Sequence, residues 1–263
     1  GLGPDGNDAS YSMQVVSGWG ARRGYLGKNL AISGAVSGDC EEHCRLNCRY
    51  MGPENACFND CLLGKGDSHK SPCHSVTDDQ LEEAVKNSPK IVTLTVGAND
   101  INFADCMGKW LSDDILSGVT LNGCWPDGPD FKEKIGLLRS NLEIIFLALN
   151  KSEIFVTTYY NPFPRDVDAL CKPFYMPLAA YAIYYENRRI ASLDEIKQMA
   201  VQFQNSTFSF ASTVLNELNQ AIRDTAAPYP NVHVVPLDFT GHNFCRSASS
   251  AWAYGSALDA WFP

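Results

Sequence analysis

The chain has no apolar run approaching the roughly 20 residues that a membrane-spanning helix needs, so an integral membrane protein is not expected. It has no cluster of lysine or arginine either. Its formal charge of −9 would repel a polyanion, which excludes nucleic acid as a partner. Charged residues amount to 19% against 45% apolar, a balance that excludes a disordered chain. There is no internal repeat and no low-complexity tract, so a solenoid is excluded too. Of the five histidines, none stands at metal-ligand spacing with carboxylates, and no metal or cofactor is expected. No signal-peptide pattern opens the chain at Gly1, which leads us to expect a processed product.

Cysteine, by contrast, is abundant. Ten cysteines in 263 residues fit an oxidising compartment and a secreted protein. Two sequons, Asn150-Lys-Ser152 and Asn205-Ser-Thr207, are compatible with secretion and glycosylation. The length suits a single domain over 1–263, and one stretch of it departs from the rest. Six of the ten cysteines crowd into residues 39–75, among glycine, proline and charged residues, which reads as an insertion.

Elsewhere the pattern alternates between strand and helix. Residues 28–33 form a short apolar run that stops at Gly34. After Thr77-Asp78-Asp79, Leu81, Ala84 and Val85 keep helical spacing. Ile91–Val96 is β-branched and nearly continuous, the pattern of a strand buried on both faces. Phe131, Ile135, Leu138, Leu142, Ile145 and Leu149 repeat at helical spacing and lead into a strand at 153–159. A long amphipathic stretch over about 192–224 leads into a last strand at 232–237. Strands alternating with helices imply parallel pairing through right-handed crossovers, hence an α/β fold with a doubly wound, mostly parallel sheet flanked by helices.

In such sheets ligands bind beyond the carboxyl ends of the strands, so the strand-end peptides hold the candidate site. Two of them stand out: Asn29-Leu-Ala-Ile-Ser-Gly34, and Val96-Gly97-Ala98-Asn99-Asp100. In this order they resemble two of the four sequence blocks of SGNH (GDSL) hydrolases, of the secreted bacterial and fungal esterase–lipase type. Tyr159-Tyr-Asn-Pro-Phe-Pro164 and Phe239-Thr-Gly-His242-Asn-Phe-Cys245 extend the similarity, which runs from about residue 10 to the end except for 39–75. The resemblance implies a small-molecule ester or lipid as substrate, with acyl transfer to water through a serine nucleophile. It makes Gly34, through its backbone N–H, and Asn99, through its side-chain amide, the oxyanion donors. Fixed donors of that kind contribute about 3 kcal/mol each. Without the resemblance, Gly34 would serve a turn and Asn99 would cap a helix.

The resemblance is incomplete at two blocks. The family nucleophile follows the first strand, yet no apolar strand precedes Ser10 or Ser12. The only Gly-Asp-Ser, Gly66-Asp67-Ser68, lies downstream of Gly34 inside the cysteine-rich insertion. The family histidine lies in a late Asp-x-x-His, but Asp259 is followed three residues later by Phe262. Asp238-Phe-Thr-Gly-His242 is one residue too long, and the matching family histidine is not the catalytic one. Ser68 and His242 are therefore the nearest stand-ins, and neither meets the pattern. Three readings follow: an ester hydrolase whose nucleophile and base lie on flanking segments, with companion peptides of the same precursor; an inactive binding protein of the same fold; or a disulfide-rich interaction module resting on 39–75.

The cysteine spacing constrains the insertion further. Cys44-x-x-x-Cys48 and Cys57-x-x-x-Cys61 would each lie on one face of a helix, with Gly52-Pro53 as the break between them. An antiparallel hairpin would then give nested bridges Cys44–Cys61 and Cys48–Cys57, with Cys40–Cys73 closing the base. Other pairings, or a tetrahedral Cys₄ zinc set, remain alternatives on spacing alone. The four remaining cysteines are expected as Cys106–Cys124 and Cys171–Cys245, and the latter matches cysteines that the resembling family carries.

Overall fold

A computed structural model describes residues 30, 35–48, 61–62, 73–111, 124–165, 170–187, 190–238, 243 and 245. Helix α1 spans Cys40–Cys48, and a π-helical turn over Val76–Gln80 runs into α2, Leu81–Asn87. Strand β1, Ile91–Leu94, is followed by α3, Phe103–Lys109, and α4, Pro129–Ala148. Then come β2, Glu153–Thr157; α5, Lys172–Asn187; α6, Leu193–Ala226; and β3, Val232–Val235.

The three strands form a parallel sheet in the order β1-β2-β3. Its register places Val92, Leu94, Ile154, Val156, Val232 and Val234 on one face. These six pack with Leu138, Leu142 and Ile145 of α4 and Val214, Leu218 and Ile222 of α6 in the main core. The opposite face carries Ile91, Thr93, Glu153, Phe155, Thr157 and His233, all exposed or half-buried. The topology accounts for this. Both crossovers step the same way along the sheet, so right-handed connections put both helices on one side.

Two expectations are corrected here, and one helix was not anticipated. Ile91–Val96 is not buried on both faces: Ile91 is 45% exposed, because only one face of the sheet is covered among the described residues. The ladder of β1 also ends at Leu94, after which Thr95 and Val96 lead into a turn. Helix α5 was not legible in the pattern, since Pro177 lies inside it and its residues are apolar on nearly every side. A doubly wound sheet needs a strand on the far side of β1, and among the described residues that edge has no strand partner. The run at 28–33 lies outside the described residues except for Leu30, which is not in a strand.

The helix boundaries follow local chemistry. Pro129 occupies the first turn of α4, where its missing N–H costs nothing. Ser192 and Glu195 cap α6 reciprocally, each side chain bonding the other's backbone N–H. Four disulfides match the expected pairs: Cys40–Cys73, Cys44–Cys61, Cys106–Cys124 and Cys171–Cys245. Cys48 is also disulfide-bonded, while Cys57, its expected partner, lies outside the described residues. No helix among the described residues is long and apolar enough to cross a membrane.

Candidate functional site

The candidate site is the turn beyond the carboxyl end of β1. Gly97 begins it with φ +125°, a conformation that side chains disfavour. A Cβ there would also sit 2.8 Å from the Leu218 side chain, so glycine is needed for packing as well. Three backbone bonds then wind the chain into α3: Ile101 N–H to Gly97 O, Asn102 N–H to Asn99 O and Phe103 N–H to Ala98 O. Asn102 takes the left-handed conformation that asparagine tolerates, with φ 54°.

This turn aims Asn99 outward and Asp100 inward. Asn99 is exposed, and its Nδ2 donates to the Ala35 carbonyl at 3.0 Å. An amide nitrogen carries two donors; one fixes the side chain, and among the described residues none takes the second. Asp100 is 8% exposed, and its Oδ1 accepts both the Ser37 backbone N–H (2.9 Å) and the Ser37 hydroxyl. Asn141 of α4 donates to that same hydroxyl at 3.0 Å. Burial pushes the Asp100 carboxyl up, while the bonds from Ser37 pull it the other way. Its Oδ2 is buried without a hydrogen-bond partner among the described residues.

Beside Asp100 lies a small cavity of about 20 Å³, lined among others by His43, Lys134 and Asn141. Burial, and then the Lys134 charge, lower His43 to about 4. Burial, then Lys109, lower Lys134 to about 8, with Asp130 and Asp105 opposing. A cavity of this size holds about one water molecule, not a substrate.

The turn is also braced from the opposite side. Tyr159, just beyond β2, accepts the Ala98 N–H on its hydroxyl at 3.3 Å. Burial pushes that hydroxyl up to about 12, so it stays neutral. Asn219 of α6 in turn grips the Tyr159 backbone at both ends, accepting its N–H and donating to its carbonyl, each at 2.7 Å. Asn219 thus positions Tyr159, and Tyr159 positions the residue before Asn99.

Of the expected oxyanion donors, Asn99 sits where a strand-end ligand would lie. Gly34, Ser68 and His242, and likewise Ser10 and Ser12, lie outside the described residues. Asn99 nevertheless binds the carbonyl of Ala35, the residue next to Gly34. Sequence reasoning missed Ser37, Asn141, Tyr159 and Asn219. The signal was present for two of them: Asn141 adjoins Leu138 and Leu142, and Asn219 adjoins Leu218 and Ile222. A polar residue inside such an apolar stripe needs a buried partner. Among the described residues no group of three or more His, Cys, Asp or Glu is placed to hold a metal ion. Compared with family models, with curated proteins and with solved structures, the chain matches none.

Proposed function

We propose that this chain carries the oxyanion-binding part of a secreted carboxylic ester hydrolase of the SGNH type, built on a doubly wound sheet. Its nucleophilic serine and histidine would then come from segments outside residues 1–263. The observation that carries this reading is Asn99: an exposed amide at a strand's carboxyl end, oriented by Ala35 and with a second donor that no described residue takes. Acyl transfer concentrates negative charge on one oxygen, and a donor fixed in advance stabilises that charge without reorganising. The bracing by Asp100, Ser37 and Tyr159 is what such preorganisation requires. Among the described residues the outer edge of β1 has no strand partner, and a doubly wound sheet would carry a further strand there.

The second reading, a binding protein of the same fold, is favoured by Ser37. Its hydroxyl is fully buried and bonded to Asp100 and Asn141, so it is not available as a nucleophile. Nucleophilic catalysis needs an accessible hydroxyl beside a base. Two measurements on protein purified from its source separate the readings. A fluorophosphonate should label an activated serine, and short-chain aryl esters should be hydrolysed without added metal. Asn99→Ala should then lower kcat about 100-fold or more with little change in KM. A protein that neither labels nor hydrolyses supports the binding reading, and an Asn99→Ala variant with unchanged kcat removes the oxyanion role.

A further inference from the structure

The two sequons fall in contrasting surroundings. Asn205 lies in the middle of α6, where its amide oxygen is buried and the Thr207 side chain is wholly inaccessible. Asn150 lies in the turn between α4 and β2. Leu149 ends α4 and is buried, so the turn anchors on one residue and gives the next to water. Of the two acceptor asparagines, Asn150 alone is exposed.

The helix that leads to this turn carries apolar side chains on its wet side. Residues three apart share a helix face, and on α4 Ile144 and Leu147 are 51% and 58% exposed. The next position in that row is Asn150, just past the helix end. The inward stripe of α4, Leu138, Leu142 and Ile145, already meets the sheet in the main core. Ile144 and Leu147 therefore add little to folding and leave apolar surface beside an exposed acceptor amide.

We propose that Asn150 is an N-glycosylation site whose first sugar residues lie over Ile144 and Leu147. The donor class is an oligosaccharide carried on a polyprenyl diphosphate. Nδ2 of Asn150 bonds to the anomeric carbon as the bond from that carbon to the diphosphate oxygen breaks. The diphosphate leaves with the electron pair, and the amide gives up one Nδ2 proton to a base of the transferase. Nothing is oxidised or reduced. A glycan is bulky and solubilising, and its rings set C–H faces on apolar side chains while their hydroxyls meet water.

The fold also sets the order of events. The transferase reads the hydroxyl two residues beyond the acceptor, yet Ser152 is 4% exposed and donates to the Pro89 carbonyl at 2.6 Å. The Ser152 carbonyl in turn accepts from Asn231, just before β3, at 2.8 Å. The sugar is therefore attached before β2 docks between β1 and β3, and the finished fold keeps it because Asn150 stays outside. The strands are parallel, so Asn150, near their amino ends, lies at the opposite edge of the sheet from Asn99. A glycan there leaves the candidate site open.

This inference rests on the secretion assumed in the proposed function but not on its ester chemistry. Fluorophosphonate labelling and glycan mapping are read separately, so either can fail alone. Protein purified from its source is treated with peptide N-glycosidase in heavy-oxygen water, and its peptides are mapped by mass. We expect labelled aspartate at position 150. Asn150→Gln, produced in the same organism, should lose the glycan and keep its far-UV circular dichroism and urea midpoint. It should begin to scatter light at a protein concentration at least about twofold lower. Adding Ile144→Ser/Leu147→Ser to that variant should restore the wild-type threshold. An unmodified Asn150 in the purified protein would overturn the proposal, whatever Asn205 carries. Scattering unchanged by Asn150→Gln, or not repaired by the two serines, would overturn the covering of Ile144 and Leu147.

Discussion

The two halves of helix α6 relate to their surroundings in opposite ways. From Phe210 to Ala226 the helix faces the sheet, and one of its buried polar residues, Asn219, is bonded twice to the Tyr159 backbone. Phe210 stacks on Trp110 at 4.4 Å, so this half also grips α3, the helix that follows the site turn. From Leu193 to Val201 the same helix turns apolar side chains to water. One half has its polar groups satisfied inside an apolar core, and the other has apolar groups unsatisfied outside one. A continuous helix can therefore serve as the brace of a rigid site and as the stalk of an exposed surface, because packing is decided turn by turn.

The sharpest way to break this comparison is Asn219→Ala. It leaves the Tyr159 N–H and carbonyl without partners in a buried setting, and each such group costs about 1–3 kcal/mol. We expect a loss of about 3 kcal/mol in urea unfolding, with slack transmitted through Tyr159 to Ala98. A loss below about 1 kcal/mol would mean that Asn219 does not brace the turn.

A smaller effect should come from His43, and it has a pH signature. Its folded value is about 4 against an ordinary 6.5. Between these values the unfolded chain binds a proton that the folded chain does not, so stability falls as pH drops from about 6.5 to 4. From pH 7 to pH 5 the loss is at most about 2 kcal/mol, at about 1.4 kcal/mol per pH unit. Lys134 acts at the other end: its folded value is about 8 against 10.5, so stability rises with pH across that window. His43→Gln should flatten the acid-side loss and leave the alkaline rise intact, measured as urea midpoints across pH. An unchanged acid-side slope would show that His43 is not held neutral by burial.

The fold was legible where periodicity is strong. The helix expected from the Phe131–Leu149 repeat forms over Pro129–Ala148, and the 192–224 stretch forms α6 over Leu193–Ala226. The strands at 91, 153 and 232 lie where expected but end early, since ladder bonds rather than β-branched content set their limits. Cysteine spacing was informative because a bridge demands two residues on facing surfaces, as Cys44 and Cys61 are. Of the residues described at the candidate site, Asn99 alone was named from the sequence, and it faces outward at a strand end. Ser37, Asn141, Tyr159 and Asn219 support it through contacts 60 or more residues apart in the chain, and local pattern carries no record of such pairings.

The smallest expected effect lies in the exposed half of α6 and its neighbours, and its smallness is the point. Leu193→Ser, Tyr184→Ser and Ile190→Ser remove apolar groups that are already at least half in water, so folding buries little of them. Hydrophobic stabilisation scales with area withdrawn from water, at about 25 cal/mol per Å². Surface changes of this kind fall within about 0.5 kcal/mol. Phe210→Ala, in the buried half of the same helix, opens a cavity and should cost about 3–5 kcal/mol. Paired urea titrations of Leu193→Ser and Phe210→Ala therefore measure the contrast within one helix. If Leu193→Ser cost as much as 2 kcal/mol, its side chain would be buried in solution, and the contrast between the two halves of the helix would fail.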